Sequence, residues 1–362
     1  MLTPKKAEKL FLIGRPFSPI YGHFMEIRRL LYRKRILKPK RLPCPVISVG
    51  NLTLGGTGKS PHVIAICSFL RRLGHKPCVL TRGYGGKAGK GPLVVSDGKG
   101  IRASAQSSGD EPLMIASKLE GVPVIAGSDR YRCGTYAAQY FGPTVFVLDD
   151  GFQHIRLYRD IDLVLIEAPN PLGSERVFPG GILRETPRTL GLADAAILTK
   201  CNEVPLGMLE LVEEQIRQLV KTKPIFRSFY QPGNIKIKYS GEIGSKSAKD
   251  LVSRNCFCFC GLARPDSFTR LLTDIGFKIK GSLQFSDHHF YSNKDLKKIG
   301  NMAKQKGAFI VLTTEKDFAK ISSDKWGKIN RELALAVVDI NVKLPQSFWH
   351  FLSCRLEGAK SI

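Results

Sequence analysis

Residues 46–60 decide the fold of this chain, and they read VISVGNLTLGGTGKS. An apolar run over Val46 to Val49 predicts a strand, and a helical pattern follows from Ser60 to Leu73. The turn between them contains glycines, a lysine and a hydroxyl. In a phosphate-binding loop (P-loop), glycines let backbone N–H groups converge on phosphate oxygens. The lysine binds the terminal phosphates, and the hydroxyl binds Mg²⁺. Thr53 stands where the generic motif has its first glycine. The predicted nucleotide-binding residues are Thr53, Leu54, Gly55, Gly56, Thr57, Gly58, Lys59 and Ser60.

Strand-like and helical patterns alternate downstream of this loop. Strand-like runs lie at 78–80, 122–126, 144–148, 163–166 and 195–198, with helical patterns at 111–119 and 130–140. Fully apolar strands in such an alternation are typical of a mostly parallel sheet covered by helices on both faces. We therefore predict an α/β fold of the P-loop NTPase type.

The pattern changes after Lys223. Residues 225–239 are predicted to be extended and interrupted by Pro232-Gly233, which suggests a two-stranded linker. Beyond Leu251 a shorter alternation predicts a second, smaller α/β domain. The predicted divisions are an N-terminal segment at 1–44, a P-loop domain at 45–223, an extended linker at 224–250 and a C-terminal domain at 251–362.

Composition narrows the class of protein. Hydrophobic residues make up 43% and charged residues 24%, which indicates a globular chain rather than a disordered one. No run approaches the roughly 18 apolar residues that span a bilayer, and the lysine-rich start is not a secretory signal, so the cytoplasm is expected. Lys and Arg number 56 against 31 Asp and Glu, and the resulting net charge of +25 attracts polyanions.

An amphipathic helix is predicted near the N-terminus. Apolar residues recur at helical spacing from Ile20 to Leu31, with basic residues among and after them. Those basic residues are Arg28, Arg29, Arg33, Lys34, Arg35, Lys38, Lys40 and Arg41. The pattern favours a helix that lies on an anionic membrane surface. The alternatives are a helix docked on the protein with a solvated basic face, or a contact with nucleic acid.

Two acidic motifs are candidates for chemistry. An apolar run ends in Asp149-Asp150, and P-loop enzymes aim such an acid at magnesium-bound phosphates. Which of the two faces the metal stays open. Asp110 and Glu111 open a predicted helix, where acids are also common as part of an ordinary acidic first turn.

Histidines and arginines supply weaker signals. In Asp287-His288-His289, adjacent histidines on an extended segment point in opposite directions and are poor joint metal ligands. One of them paired with a carboxylate would serve as a base, whereas the alternative is an ordinary surface or core histidine. Three arginines lie near predicted turns, namely Arg82, Arg130 and Arg184. Each would either bind a phosphate or remain a solvated charge.

The motifs together resemble a known family. In order, the chain contains VISVGNLTLGGTGKSP, TRGYGG, GDEP, GSDR, VLDDGFQH, GGILRE, FCGLARP, SDHHFY and TTEKD. From Ser18 to Lys320 this order resembles the tetraacyldisaccharide 4′-kinase family of the lipid A pathway in Gram-negative bacteria. The family also has a threonine at the position of Thr53. It more often has a threonine where this chain has Ser60, and the tail after Lys320 matches poorly.

The resemblance implies a reaction and a set of roles. It implies ATP- and Mg²⁺-dependent transfer of the γ-phosphoryl group to the 4′-hydroxyl of a tetraacylated glucosamine disaccharide 1-phosphate, giving lipid IVA. Asp110 would be the base, paired with His288 across a cleft between domains, with Lys59 and Arg130 as further catalytic residues. The implied metal ligands are Ser60, Asp149, Asp150 and Glu111. The implied substrate-binding residues are Arg82, Tyr84, Gln153, His154, Arg184 and Glu185.

The resemblance also implies partners and a location. The substrate would be an anionic glycolipid, and the basic helix would hold the protein on the cytoplasmic face of the inner membrane as a peripheral or monotopic protein. A monomer is expected, and nucleic acid is not expected as a partner.

Two other classes remain as alternatives. A regulatory P-loop GTPase is one, because Thr199-Lys200-Cys201-Asn202 is faintly similar to a guanine-reading loop, although the expected aspartate is missing. A nucleic-acid-binding ATPase is the other, and it rests on the net charge of +25 alone. No stacked-aromatic or groove-reading motif supports it.

Overall fold

The computed structural model describes residues 11–55, 57–83, 86, 89, 91–173, 175–239, 242–246, 254–261, 265–286, 289–321 and 323–360. These residues form two compact units. The first unit comprises Leu2–Tyr230 and Val342–Ile362, and the second comprises Gln231–Asn341. The chain therefore passes between the units twice.

Helices surround a sheet in each unit. The helices are α1 (Ser18–Arg33), α2 (Lys59–Arg72), α3 (Ala105–Ser108), α4 (Asp110–Lys118), α5 (Arg130–Phe141), α6 (Leu206–Val220), α7 (Pro265–Ile275), α8 (Asn293–Gln305), α9 (Glu315–Lys320), α10 (Ser323–Ile329) and α11 (Gln346–Lys360). Short 3₁₀ turns lie at Arg15–Phe17, Pro187–Leu192 and Cys201–Glu203.

The first unit is built on an eight-stranded sheet. Its strands are β1 (Val46–Asn51), β2 (Pro77–Thr81), β3 (Leu93–Asp97), β4 (Pro123–Ala126), β5 (Val145–Asp149), β6 (Ile161–Glu167), β7 (Ala195–Thr199) and β8 (Ile225–Arg227). They lie in the order β3-β4-β2-β5-β1-β6-β7-β8. All neighbouring pairs are parallel except β3 with β4. The carboxyl ends of β1 and β5, which are neighbours, therefore meet at one edge of the sheet.

Both faces of this sheet are buried, as the fully apolar strands predict. Successive residues of β1 point to opposite faces. Ile47 and Val49 pack in the core cluster that contains α2, whereas Val46 packs in the cluster that contains α5. Every residue of β1 is buried, which is the burial expected of a central strand.

The second unit contains a six-stranded sheet. Its strands are β9 (Phe229–Tyr239), β10 (Glu242–Lys246), β11 (Asn255–Cys260), β12 (Lys278–Gln284), β13 (Ile310–Thr313) and β14 (Ala334–Lys343), in the order β10-β9-β14-β13-β11-β12. Strands β12, β11, β13 and β14 pair in parallel, and β10 pairs antiparallel with β9. Alternate residues of β11 fill cores on the two faces of the sheet.

The structure differs from the sequence-based predictions at three places. Strand β9 continues through Pro232-Gly233, so these residues do not break the extended segment; its antiparallel pairing begins only at Ile235. The edge strand β3 was not predicted from the sequence. The last helix, α11, belongs to the first unit and not to the C-terminal domain, since Phe348 and Leu352 are fully buried in the same core as α2. An amphipathic pattern shows that a helix has a buried face but not which sheet covers it.

Helix α1 docks on the first unit and still exposes apolar side chains. The Ser18 hydroxyl donates to the carbonyl of Val177 at 2.7 Å and accepts from the N–H of Gly180 at 2.8 Å. Ile20 and Phe24 are 69% and 63% exposed. None of the helices in the described ranges has the length and apolar character needed to cross a bilayer.

Candidate active site

The P-loop lies at the carboxyl end of β1, as predicted. Its first half is held by the segment around Leu183: the N–H of Leu54 donates to the carbonyl of Ile182 at 2.7 Å, and Thr53 forms an antiparallel bridge with Leu183. Thr53 therefore occupies extended backbone, which does not require a glycine. Gly58 precedes helix α2 with φ +77°, a conformation that glycine adopts without strain. Gly56 lies outside the described residues.

Lys59 is the first residue of α2 and points toward two oxygens at the end of the sheet. Its Nζ donates to Oδ1 of Asn51 at 3.1 Å and lies 3.3 Å from Oδ1 of Asp150. Asn51 in turn donates from Nδ2 to the carbonyl of Thr53 at 2.8 Å, so it ties the lysine to the start of the loop. This places the lysine, the loop and one aspartate of the Asp149-Asp150 pair together.

Asp150 is balanced by a second cation. Nη1 of Arg184 lies 2.9 Å from both carboxylate oxygens of Asp150 and 3.3 Å from Oε1 of Gln153. Burial alone would raise the pKa of Asp150, but Lys59 and Arg184 outweigh it and lower the pKa to about 2. Asp150 is therefore ionised at neutral pH. Gln153 also donates to the carbonyl of Asn51 at 2.9 Å, which closes the network.

Asp149 is buried at the end of β5, and its environment differs from that of Asp150. Its Oδ2 accepts from the hydroxyl of Thr81 at 3.0 Å, whereas Oδ1 is buried without a hydrogen-bond partner. Burial, with Glu111 and Asp150 nearby, raises the pKa of Asp149 to about 7. A cation close to such a carboxylate would stabilise its charged form and lower its pKa.

The residues present fit a Mg²⁺ ion. Asp149 offers an unpartnered buried oxygen beside acidic neighbours, and Ser60 at the start of α2 is buried at 7% exposure. Mg²⁺ in nucleotide sites is held by few protein oxygens and by the phosphates themselves. Asp149 and Ser60 are the residues that fit this role best, and Glu111 lies near enough to Asp149 to raise its pKa.

Asp110 is buried at the first position of α4, with Glu111 beside it. Gly86, from the TRGYGG block, packs directly against this turn: a Cβ at Gly86 would lie 2.5 Å from the carbonyl oxygen of Ser107 and 2.6 Å from the nitrogen of Gly109. The structure therefore brings the TRGYGG and GDEP blocks together, although they are far apart in the sequence. Tyr84 and His288 lie outside the described residues.

Arg130 is near Asp149 and Asp150, and His154 is near Arg130. Arg130 is 3% exposed, its Nη1 donates to the carbonyl of Gly127 at 3.3 Å, and its Nε has no partner. Burial lowers the pKa of Arg130, while Asp149 and Asp150 oppose this effect. His154 is half-buried, and burial together with Arg130 lowers its pKa to about 4, so it is neutral at pH 7. Arg82 is exposed and near enough to Arg130 to affect its pKa.

Glu185 is placed differently from its neighbour Arg184. It is fully buried and pairs with Arg29 of α1, whose Nη2 lies 2.6 Å from Oε2 of Glu185. Burial raises the pKa of Glu185, although Arg29 opposes this effect. The structure therefore gives Glu185 a contact with the N-terminal helix, while Arg184 and Gln153 face Asp150.

Several residues around the loop were not identified from the sequence. Asn51, Thr81 and Arg29 contact the predicted site residues, and His62 supports the loop from behind. His62 is fully buried; its Nδ1 lies 2.7 Å from the carbonyl of Gly58 and its Nε2 lies 2.8 Å from the hydroxyl of Ser228. Since a carbonyl only accepts, Nδ1 carries the proton and Nε2 accepts from Ser228.

The segment that is faintly similar to a guanine-reading loop has other partners. Nζ of Lys200 lies 2.5 Å from Oε1 of Glu167, and Oδ1 of Asn202 accepts from the N–H of Tyr230 at 3.0 Å. Thr199 donates to the carbonyl of Thr57 at 3.2 Å and so supports the P-loop. These contacts do not include the aspartate that guanine recognition would need.

Comparison with known proteins identifies relatives over most of the chain. The family model for tetraacyldisaccharide-1-P 4′-kinase matches residues 10–357. A tetraacyldisaccharide 4′-kinase from Desulfotalea psychrophila is 41% identical, covering 88% of this chain and 90% of that protein. The one from Syntrophus aciditrophicus is 38% identical, covering 96% and 94%.

A solved structure extends the match to the fold. The crystal structure of LpxK from Aquifex aeolicus, described as an "apo" form in complex with ATP, has a TM-score of 0.75 and 33% identity. The match covers 94% of this chain and 98% of that one. It confirms the predicted fold class, and the regulatory GTPase and nucleic-acid ATPase alternatives are not favoured. The chain belongs to the tetraacyldisaccharide-1-P 4′-kinase family.

Proposed function

We propose that this chain transfers the γ-phosphoryl group of ATP to the 4′-hydroxyl of a tetraacylated glucosamine disaccharide 1-phosphate, giving the lipid A precursor lipid IVA. The family match supports the reaction. The observation that carries the site assignment is the contact of Lys59 with Asp150, because it joins the lysine of the P-loop to the acid that directly follows β5.

The P-loop residues and Lys59 would bind and orient the phosphates of ATP. Backbone N–H groups at the start of α2 and the Lys59 ammonium stabilise negative charge there. Mg²⁺, held by Asp149 and Ser60, would neutralise charge that develops on the phosphate oxygens. Arg184 and Arg130, which lie near the two aspartates, would compensate the negative charge of these aspartates and of the phosphates of ATP. No covalent intermediate is needed, since positioning and electrostatics account for this chemistry.

Asp110 is the proposed base for the 4′-hydroxyl. It is buried at the first position of α4, next to Glu111. Glu111 is close enough to Asp149 to raise the pKa of Asp149. The helix that Asp110 begins therefore starts close to the proposed metal site. His288 is the proposed partner of Asp110, as the family resemblance implies; its position is outside the described residues.

A substitution at Asp110 tests its role as base. Asp110→Asn keeps the shape of the side chain and removes its basicity, so kcat should fall by about 10²- to 10⁴-fold. The equilibrium Kd for Mg·ATP and the melting temperature serve as controls and should remain near wild type. A variant with normal kcat would eliminate Asp110 as the base.

The N-terminal helix is the proposed membrane contact. Helix α1 exposes Ile20, Phe24 and Ile27 while Arg33 remains exposed on the same helix. Apolar side chains with neighbouring cations suit an anionic membrane surface. A peripheral or monotopic protein on the cytoplasmic face of the inner membrane would reach a substrate whose acyl chains stay in the bilayer. We expect this protein to act as a monomer without nucleic acid.

Vesicle flotation tests the membrane contact. Ile20→Ser combined with Phe24→Ser should reduce binding to vesicles that contain phosphatidylglycerol, because exposed apolar area is lost from α1. Leu206→Ser with Leu211→Ser is the matched control, since these residues are 67% and 71% exposed on α6. Equal loss of binding in both pairs would contradict the assignment of α1.

A further inference from the structure

One arginine of the basic helix is buried rather than solvated. Arg29 is 8% exposed, and its guanidinium lies over the ring of Phe152 at 4.5 Å. Its Nε donates to Oε2 of Glu185 at 2.7 Å, and its Nη2 lies 2.6 Å from the same oxygen. Nη2 also donates to the carbonyl of Phe152 at 2.9 Å. We call these contacts of Arg29 with Glu185 and Phe152 the Arg29 bridge.

The Arg29 bridge joins the two chain segments that supply the phosphate-site ion pair. Phe152 lies two residues after Asp150, and Glu185 directly follows Arg184. Asp150 and Arg184 are themselves in contact at 2.9 Å. The two segments are therefore tied twice: once by the ion pair at the site, and once behind it by a side chain from α1.

Other contacts of α1 with the first unit do not have this geometry. Ser18 contacts Val177 and Gly180, and Glu26 accepts from the hydroxyl of Thr186 at 2.7 Å. These contacts seat the helix, but neither reaches the segment that follows Asp150. Of Ser18, Glu26 and Arg29, only Arg29 contacts both segments.

We propose that Arg29 is a positioning residue for the kinase reaction. Through the Arg29 bridge, it fixes Asp150 and Arg184 around Lys59, so that order in the Mg·ATP site depends on this contact of α1. A planar guanidinium suits this task because it donates in two fixed directions at once. The inference rests on the proposed role of Lys59 and Asp150 in binding Mg·ATP.

The test uses the full-length protein and measures Mg·ATP binding separately from turnover. Arg29→Met should weaken equilibrium Mg·ATP affinity and lower kcat, each by about 10- to 100-fold, as expected when a supporting contact of a metal site is lost. The KM for the lipid in mixed micelles should change less than kcat. Arg29→Lys keeps the charge but loses the two-directional contact, so it should rescue only part of the affinity.

Two control variants test whether an effect of Arg29→Met comes from the lost contact, rather than from the lost charge or from weaker docking of α1. Arg33→Met removes the same charge from an exposed position of α1 and should leave the Mg·ATP affinity unchanged. Ser18→Ala loosens the other end of the helix and should also leave that affinity unchanged. Because Arg29→Met leaves a buried carboxylate without its partner, which destabilises the fold, Arg29→Met with Glu185→Met provides a second variant without an unpaired charge.

The outcomes distinguish this inference from the proposed function. Folded Arg29→Met, or the double variant, with Mg·ATP affinity and kcat within twofold of wild type would overturn the inference. So would a change confined to vesicle binding or to the KM for lipid. If Lys59→Ala also bound Mg·ATP with normal affinity, the assignment of the ATP site itself would fail. If Lys59→Ala lost Mg·ATP affinity and the Arg29 variants did not, the site assignment would stand and only the role of Arg29 would be contradicted.

Discussion

The ammonium nitrogen of Lys59 lies 3.3 Å from a carboxylate oxygen of Asp150, and Arg184 contacts the same carboxylate from another direction at 2.9 Å. Asp150 therefore stays ionised with a pKa of about 2, whereas Asp149, one residue earlier, has a pKa raised to about 7 by burial and acidic neighbours. Two adjacent aspartates thus have different electrostatic environments. Asp150 pairs with cationic side chains, and Asp149 is the aspartate whose charged form a metal ion would stabilise.

Arg184→Met should impair nucleotide binding. Without Arg184, Asp150 loses one of its two cationic partners and Gln153 loses a donor, so Lys59 is drawn more strongly to Asp150 than to phosphate. The KM for ATP should rise by about tenfold or more. Arg188→Met is the matched control, because Arg188 is exposed and the variant has the same charge. A similar KM in both variants would contradict this role for Arg184.

Thr81→Val should reduce turnover by disturbing Asp149. The Thr81 hydroxyl is the donor to Oδ2 of Asp149, and its loss leaves a buried carboxylate with less stabilisation. Loss of a hydrogen bond to a charged group costs about 1.5–3 kcal/mol, so kcat should fall at least about tenfold, and higher Mg²⁺ should be needed for half-maximal rate. Thr81→Ser retains the hydroxyl and should remain close to wild type; equal losses in both variants would show that the hydroxyl is not involved.

Gly58→Ala should damage the P-loop more than the backbone strain alone would. Gly58 has φ +77°, and a Cβ there would lie 2.0 Å from the hydroxyl oxygen of Tyr230. Gly74 has a similar φ of +81° with open space around it, so Gly74→Ala isolates the strain, which costs about 1–2 kcal/mol. Thermal unfolding should show destabilisation in both variants, and only Gly58→Ala should raise the KM for ATP.

His62 should make folding stability depend on pH below neutrality. Burial lowers the pKa of His62 from 6.5 to about 4, so the folded protein keeps it neutral while the unfolded chain is protonated below 6.5. Stability is therefore fully present above pH 6.5 and is lost as pH falls toward 4, by about 3 kcal/mol in total. Urea unfolding at pH 7.5 and pH 5 measures the larger part of this loss.

The His62→Gln variant isolates that contribution. Gln does not titrate, so the stability lost between pH 7.5 and pH 5 should be smaller in the variant than in the wild type. His154 has a similarly lowered pKa and is present in both proteins, so the difference between them reports His62. Identical pH dependence in the two proteins would contradict a buried, neutral His62.

The local parts of the site were predictable from the sequence because neighbouring residues determine them. A strand, a glycine-rich turn and a helix follow one another in the sequence, so the positions of Lys59 and Ser60 at the start of α2 could be predicted locally, as could the acids at the end of β5. Parallel pairing of β1 with β5 then brings Lys59 and Asp150 to one edge. The alternation of apolar strands and helices also sufficed to predict the fold class.

The contacts between distant segments were not predictable in this way. Arg29 and Glu185 are separated by 156 positions, and the sequence pattern placed Arg29 with the other cations of a basic helix. Thr81 resembles any strand-ending threonine until β2 is paired with β5. The position of α11 in the first core likewise depends on the chain returning through β14, which no local pattern specifies.

Phosphate transfer to a defined lipid hydroxyl tests the central claim most directly. The purified protein would be incubated in mixed micelles with γ-labelled ATP, Mg²⁺ and a tetraacylated disaccharide 1-phosphate, and the labelled lipid would be analysed by phosphorus NMR. We predict a new phosphate ester at the 4′ position and its loss in Lys59→Ala. ATP hydrolysis without labelled lipid, a phosphate at another hydroxyl, or undiminished transfer by Lys59→Ala would contradict the account.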